Sequence, residues 1–390
     1  MSDSVTEVSS KSWGARLMES IKGVLVGLAL FVAAFPVLFM NEGCAVKTYR
    51  DLSSLGNEVI SVDSLKVDPA NNLKPVHMSG TAKTDEVLTD SAFNYSANAI
   101  HLDRSVEMFQ WIESKSQKTQ KKLGGGEETV TTYDYKTGWS SSAVDSSSFK
   151  QPQGHQNPGA MPYEAMRISA QSVVLGAFRL IPGQISGIGG AETVNFTAAE
   201  IAKLPPDVRA KAKPSGEWLF LGANSQSPQV GDVRVSLKVV KSPKDISIIA
   251  VQNGDTFQPY RGKEGTNQLL TEMGTIDAAG MIQSAQDANV MRTWIVRFVG
   301  LIMMYMGLMM VFKPLVTVAD VVPAVGGLLK IGLGLFSGIV AFALSLITIA
   351  IAWIYYRPVL AIILLALAGG AIAYGIMQSR KKKAAAAATT

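Results

Sequence analysis

The chain is poor in the side chains from which most protein chemistry is built: among 390 residues there is one cysteine, Cys44, and there are three histidines, His77, His101 and His155. A single cysteine excludes an intrachain disulfide and any thiolate-based metal cluster, so a folded domain in this chain has to be held by burial alone. Asn41, Glu42 and Gly43, ahead of Cys44, lack the small and apolar residues of a lipoprotein cleavage site, which sets lipidation aside. Charge is scarce as well. Charged residues make up 17% against 47% hydrophobic, with a mean hydropathy of +0.20, too apolar for a soluble protein of this length. The net charge of +5 lies beside apolar runs and is not interleaved with aromatic residues. It reads as a determinant of membrane orientation and speaks against nucleic acid as a partner.

What the chain does hold is long apolar sequence. Residues 21–40, with Lys22 at the edge, match the roughly 20 residues needed to cross about 30 Å of hydrocarbon. The run is too long and wrongly flanked for a cleaved signal peptide. Residues 295–312, 331–355 and 358–377 follow, the last two parted only by Tyr356 and Arg357, which predicts a tight helical hairpin. Backbone polar groups cannot go unpaired in lipid, so runs of this length without barrel-like alternation are expected to be helices.

Four spans return both termini to one side. Lys11, Arg16 and Lys22 flank the first span, Lys313 and Lys330 bracket the 313–330 loop, and Arg380 with Lys381 to Lys383 begins a basic tail over 378–390. The positive-inside tendency places these, and the 1–20 tail, in the cytoplasm, with residues 41–294 outside. Arg297, near the outer end of the second span, reads as a side chain reaching toward the interface beside Trp294, in preference to a charge in a transport pathway. Trp353, Tyr355 and Tyr356 read as an interfacial aromatic belt.

Between the first two spans the pattern turns to period-two alternation, as over residues 76–82 and 232–239. A hairpin is expected from residues 106–113 and 129–139 around a Lys- and Gly-rich loop, read as a mobile, solvated tip. A second is expected from 246–251 and 255–260, turning near Asn253 and Gly254. Thr197 is a candidate N-cap of a short helix, with Glu200 closing a capping box before Pro205 and Pro206. Residues 267–288 carry a helical pattern, with Leu270, Met273, Met281 and Ile282 on the packing side, and are expected to form a stalk into the second span. The fold class is thus a membrane protein of four transmembrane α-helices, one N-terminal and three C-terminal, with a large mostly-β (α+β) extracytoplasmic domain.

Little in this text points to catalysis. There is no HExxH, CxxC, GxSxG, phosphate-binding loop or dinucleotide fingerprint in the right context. The best candidate is His155 with Asp145 and a serine among Ser146, Ser147 and Ser148, since a nucleophile needs a base and the base an orienting acid. Gly154, Asn157 and Pro158 favour instead a turn in which His155 and Asn157 satisfy backbone groups. Gly124, Gly125 and Gly126 precede no helix pattern, so a phosphate cradle there is weakly supported. No cofactor and no metal is expected.

Several segments together resemble the transmembrane protein 43 family, known in animals as LUMA. They are Ser12-Trp13 with Arg16; Asn41-Glu42-Gly43 with Ala45, Val46 and Lys47; Val106, Glu107, Met108, Phe109, Gln110 and Trp111; Tyr133, Tyr135 and Trp139; Gly154-His155 with Asn157-Pro158; Gly231-Asp232 with Arg234; and Tyr356-Arg357-Pro358. Cys44 is a departure, since the family usually has Arg after Asn-Glu-Gly. The resemblance implies structural roles for Asn41, Glu42, Gly43, Glu107, Trp111, Trp139, Gly154, His155, Asn157, Pro158, Gly231, Asp232, Arg234, Arg357 and Pro358, with no catalytic residue among them. It implies a non-enzymatic protein that self-associates. In animals that protein lies in the endoplasmic reticulum and inner nuclear membrane and organises membrane proteins, emerin and lamins included. The Ala-rich, Lys-tipped tail and short N-terminus lean toward a bacterial source, with the plasma membrane as location.

Three functions are therefore weighed: an oligomeric scaffold partnered by membrane lipids, its own copies and other membrane proteins; a channel or lipid conduit; and an envelope hydrolase using the His155 loop. Gly332, Gly334 and Gly338, with Gly369-Gly370, suit close helix approach within or between subunits. Apart from Arg297 the spans carry no ionisable residue near mid-bilayer, which counts against transport.

Overall fold

The computed structural model describes residues 3–359 and 362–363. It divides into two compact units, one of residues 3–9, 51–120 and 128–285, the other of residues 10–50, 121–127 and from 286 onward. Most of the expected fourth span, 358–377, and both residues of Gly369-Gly370 lie outside the described residues.

The second unit is built on three long apolar helices, α1 (Trp13–Glu58), α2 (Ala278–Ala319) and α3 (Pro323–Tyr356), each long and apolar enough to cross a membrane. One is N-terminal and two are C-terminal, so four spans reduce to three among the described residues. The helices overrun their apolar runs. α2 continues to Ala319 and α3 starts at Pro323, leaving only residues 320–322 of the expected 313–330 loop non-helical. Pro323 in the first turn of α3 is favourable because the N–H it lacks has no helical acceptor there.

The close helix contact in this unit involves glycines other than those singled out from sequence. An added Cβ at Gly27 would lie 2.8 Å from the Gly307 carbonyl oxygen, and one at Gly307 would lie 2.7 Å from the Gly27 carbonyl oxygen. Backbone therefore touches backbone between α1 and α2. Ala34, Leu38, Met304, Leu308 and Ala341 fill the interior beside it. Among the described residues, an added Cβ at Gly332 would meet nothing within 4 Å, and those at Gly334 and Gly338 would meet only Tyr305 at 3.7 and 3.9 Å.

The first unit is mostly β. Its main strands are β1 (Ser4–Lys11), β2 (Pro75–Lys83), β3 (Tyr95–Lys121), β4 (Glu127–Ser140), β5 (Val233–Lys241) and β6 (Lys244–Asn253). The larger sheet runs β1, β4, β3, β5, then Trp218–Leu221 and Ala212–Ser215. β3 and β5 pair antiparallel with Val106 opposite Val235, so that their apolar residues share one buried face. The smaller sheet centres on β6 and β2, with Ile248 opposite Met78, and a hairpin turns at Gly254 (φ +63°) into Thr256–Gln258 as the sequence predicts. Val239, Ile100 and Phe178 lead one apolar cluster, Phe93, Leu219 and Val235 another, and Tyr95 and Val194 pack against both. The domain interior is thus continuous across Pro205 and Pro206.

Three local readings need correction. The 267–288 stalk is helical only from Ala278; Leu270–Met273 is a strand on the edge of β6, where its main chain finds partners that an isolated helix start would lack. Met281 and Ile282 do pack as expected, with Leu52, Leu55 and Tyr260. The first hairpin extends to Lys121 and Glu127, leaving a turn of residues 122–126 in place of a long mobile loop. Thr197 caps Ala198–Lys203 by accepting from Glu200 N, but the Glu200 carboxylate accepts from Lys203 Nζ, so the capping box is only half formed. Asp51 supplies an anchor with no sequence signal: its carboxylate accepts from Glu264 N, Thr266 N and Thr266 Oγ1 at 2.7–2.9 Å.

Candidate functional sites

The residues singled out by family resemblance fall into three groups, one in the helical unit and two in the β unit. In the helical unit, Glu42 lies two residues beyond the apolar run of α1 and Arg297 two residues past the start of the run in α2. Antiparallel helices bring the two to the same depth. Arg297 Nε and Nη2 donate to Glu42 Oε1 and Oε2 at 2.6 and 2.8 Å, and Trp353 Nε1 donates to Oε2 at 2.8 Å. The Glu42 side chain is 2% exposed, and the Arg297 guanidinium lies 4.7 Å from the Trp294 ring. Arg297 is therefore engaged by a buried carboxylate as well as lying beside Trp294. Asn41 donates to the Thr293 carbonyl oxygen at 3.2 Å. Gly43 leaves room for Tyr356, whose ring would lie 2.5 Å from an added Cβ.

A second cluster in the same unit was not foreseen. Arg16 donates to Asp320 Oδ2 at 2.6 Å and to the Gly125 carbonyl oxygen at 2.5 Å, and pairs with Glu127 at 3.0 Å. Lys121 pairs with the other Asp320 oxygen. Trp13 Nε1 donates to the Thr317 carbonyl oxygen at 2.9 Å. The Asp320 side chain is fully buried. Residues 121–127, the tip expected to be solvated, are thus fastened by charge.

In the β unit, Arg234 stacks between Trp139 and Trp218, its guanidinium 4.5 Å from each ring, while Nε donates to Glu107 Oε2 at 2.7 Å. The planar fork makes both kinds of contact at once, which a lysine cannot do. Arg234→Lys is expected to cost about 1–2 kcal/mol of domain stability, from lost stacking and a weakened hydrogen bond. Chemical denaturation would show it, and a variant as stable as the parent would remove the sandwich from consideration.

The third group gathers around His155. Asn157 acts as a substitute strand partner: its Oδ1 accepts from Trp111 N at 2.7 Å and its Nδ2 donates to Trp111 O at 2.9 Å. Gly154 (φ +86°) and Gly231 (φ +96°) occupy the left-handed region that favours glycine. Gly231 N donates to Phe109 O at 2.9 Å, and Pro158 approaches Gly231. Asp232 Oδ2 accepts from Gln229 N at 2.7 Å. His155 is buried, stacked 4.1 Å on Tyr135, with Nδ1 facing Gln151 O at 2.9 Å and Nε2 facing Asp3 Oδ2 at 2.8 Å.

This geometry leaves the proposed triad unassembled. The Asp145 carboxylate accepts from Ser147 N and Ser147 Oγ at 2.9 and 2.6 Å, capping a short 3-10 turn, and is no partner of His155. The other histidines are also links to distant main chain: His77 Nε2 faces Ile276 O and His101 Nε2 faces Ile185 O, each at 2.8 Å. Burial holds the His101 imidazole below its usual value, against the pull of the Ile185 carbonyl. Among the described residues no group of acidic, histidine or cysteine side chains is arranged to hold a metal.

Tyr135 sits at the centre of this third group. Its hydroxyl donates to Glu113 Oε2 at 2.7 Å and accepts from Gln151 N at 2.9 Å. Burial first, then the hydrogen bond to Glu113, pushes its phenol up to about 12. An unfolded tyrosine ionises near pH ~10, so the folded state keeps this proton longer. The resulting stability is complete below about pH 10 and is lost as pH rises toward the folded value. Ultraviolet titration should show Tyr135 among the late phenolates, later than Tyr95, Tyr163 and Tyr260, which burial also raises, and Glu113→Gln should bring it earlier; an unchanged titration curve would contradict the assignment.

Asp3 and Glu7 bear on orientation. Besides the His155 contact, the Asp3 carbonyl accepts from Tyr135 N at 3.0 Å, and Glu7 pairs with Lys150 at 2.9 Å. The sequence expectation separates residues 3–9 from residues 133–155 by a bilayer, whereas the structure gathers them into one unit.

The family model described as Transmembrane protein 43 matches residues 108–358. The chain is 35% identical to mouse Transmembrane protein 43 over 364 residues, covering 91% of this chain and 89% of that protein. It is 33% identical to the human protein over 363 residues (90% and 89%) and 30% identical to a Drosophila melanogaster homolog over 376 residues (90% and 94%). No solved structure matches.

Proposed function

The chain belongs to the transmembrane protein 43 family, and from that premise we propose that it is a non-enzymatic multi-pass membrane protein that self-associates and organises other membrane or envelope proteins as a scaffold. The observation that carries this reading is how the rare polar groups are used. All three histidines, with Glu42, Glu107 and Asp145, are engaged in contacts that hold distant segments or turns together, which suits a frame more than a reacting centre. Among the described residues nothing covers Gly332, which suits a close approach by a neighbouring helix to α3. Its partners are membrane lipids, further copies of the chain and other membrane proteins. Its place is the endoplasmic reticulum and inner nuclear membrane in a eukaryotic cell, or the plasma membrane in a bacterium. Light scattering on nanodisc-embedded protein, corrected for lipid, should give a defined multiple of 41.6 kDa; a clean monomer would sink the scaffold reading.

A further inference from the structure

Pro358 stops α3, and the break opens a cavity of about 440 Å³. Proline has no N–H and disfavours helical geometry in the residue before it. Arg357 accordingly leaves the helix (φ −133°, ψ 59°) while its own N–H still reaches Trp353 O at 2.7 Å. Its guanidinium lies 5.9 Å from the Trp353 ring, on the rim of the cavity. Arg50 of α1 shares that rim, held by a hydrogen bond from Nη2 to Tyr356 O at 2.7 Å, with Tyr49 beside it. The walls are apolar: Val46 from α1, and Val359 and Ile363 beyond the break.

A smaller cavity of about 160 Å³ also has Tyr49 and Arg357 in its lining and extends to Glu42 and Arg297. Glu42 does not neutralise Arg357, because its two oxygens are taken by Arg297 and Trp353. Among the described residues no ion pair joins Arg357 to a carboxylate. The site therefore combines the Arg357 guanidinium at its mouth, greasy walls below it, and the Trp353 indole close by. A soluble anion would gain nothing from the walls, and a neutral lipid nothing from Arg357.

We propose that this cavity binds an anionic phospholipid, with its phosphate on Arg357 and the start of one acyl chain along Val46, Val359 and Ile363. Arginine suits this role because its planar donors match two phosphate oxygens at once. The volume lies within the roughly 300–1,000 Å³ of small-molecule sites, enough for a headgroup and the upper part of a chain.

The test uses the full chain in nanodiscs of phosphatidylcholine doped with phosphatidylglycerol, extracted gently and read by native mass spectrometry for the lipids retained. The parent protein should retain phosphatidylglycerol about tenfold above its bulk share. Arg357→Gln should lower this to near the bulk share, and Arg357→Lys should keep part of it. Val359→Trp, which fills the wall and keeps both arginines, should abolish retention too, and it decides the matter if Arg357→Gln alters the thermal midpoint in pure phosphatidylcholine. Retention unchanged in Arg357→Gln and Val359→Trp would overturn the proposal. So would displacement of the lipid by inorganic phosphate with no effect of Val359→Trp, which would assign the site to a soluble anion.

Discussion

Glu42→Ala is expected to lower the stability of the helical unit by about 3–5 kcal/mol, the scale seen when one partner of a buried ion pair is removed. The size follows from what is left behind. Arg297 loses both hydrogen bonds of its fork, and Trp353 Nε1 loses its acceptor. Solvent compensates poorly a guanidinium whose side chain is only 17% exposed. The double variant Glu42→Ala with Arg297→Leu should recover much of the loss, because the cost lies in the stranded charge more than in the missing attraction. Thermal unfolding of nanodisc-embedded protein would measure both. A single variant within 1 kcal/mol of the parent, on the order of a surface pair, would show that the pair is accessible to water.

Asp320→Ala should have a comparable effect, with a more local readout. Asp320 is the only carboxylate that touches both Arg16 and Lys121 among the described residues. Removing it sets two cations beside each other and frees residues 121–127. Trypsin should then cut after Lys121 or Lys122 at rates well above those of the parent; unchanged resistance would mean that the Trp13 and Gly125 contacts suffice. Acid should do the same to the parent protein. Burial raises the Asp320 carboxyl, but the hydrogen bonds and charges of Lys121 and Arg16 outweigh it and hold the group below the usual carboxylate range. The stabilisation is therefore complete above the unfolded value of about 3.9 and is lost only as pH falls through the lower folded value. Release of the tip at pH 5 would contradict this.

The features that could be read from sequence are those fixed by neighbours in the chain. Apolar runs announced α1, α2 and α3, alternation announced β2 and β5, and Asn253-Gly254 announced its turn, because each depends on local periodicity or backbone freedom. The His155 loop was also legible as a turn, since Gly154 and Pro158 restrict the backbone locally. Side-chain partners were not. Arg297 finds Glu42 across 255 positions and Arg16 finds Asp320 across 304, and nothing in local pattern names such a pair. One signal was available: Glu42 and Arg297 stand equally far inside or beyond the same ends of two antiparallel apolar runs. The strand at Leu270–Met273 was missed for a related reason, as it exists by pairing with β6 and its own residues also fit a helix.

The contact between Gly27 and Gly307 has a mechanical consequence. Helices held apart by flexible side chains can rotate about their own axes or splay when the hydrocarbon around them thins. Here each carbonyl oxygen lies under the other glycine, and a rotation of either helix would drive the neighbouring Phe31 or Met310 into backbone. α1 and α2 behave over this stretch as one stiff plank. In a thinner membrane the energetically easier response is for the pair to lean together, carrying hydrophobic mismatch as a shared tilt.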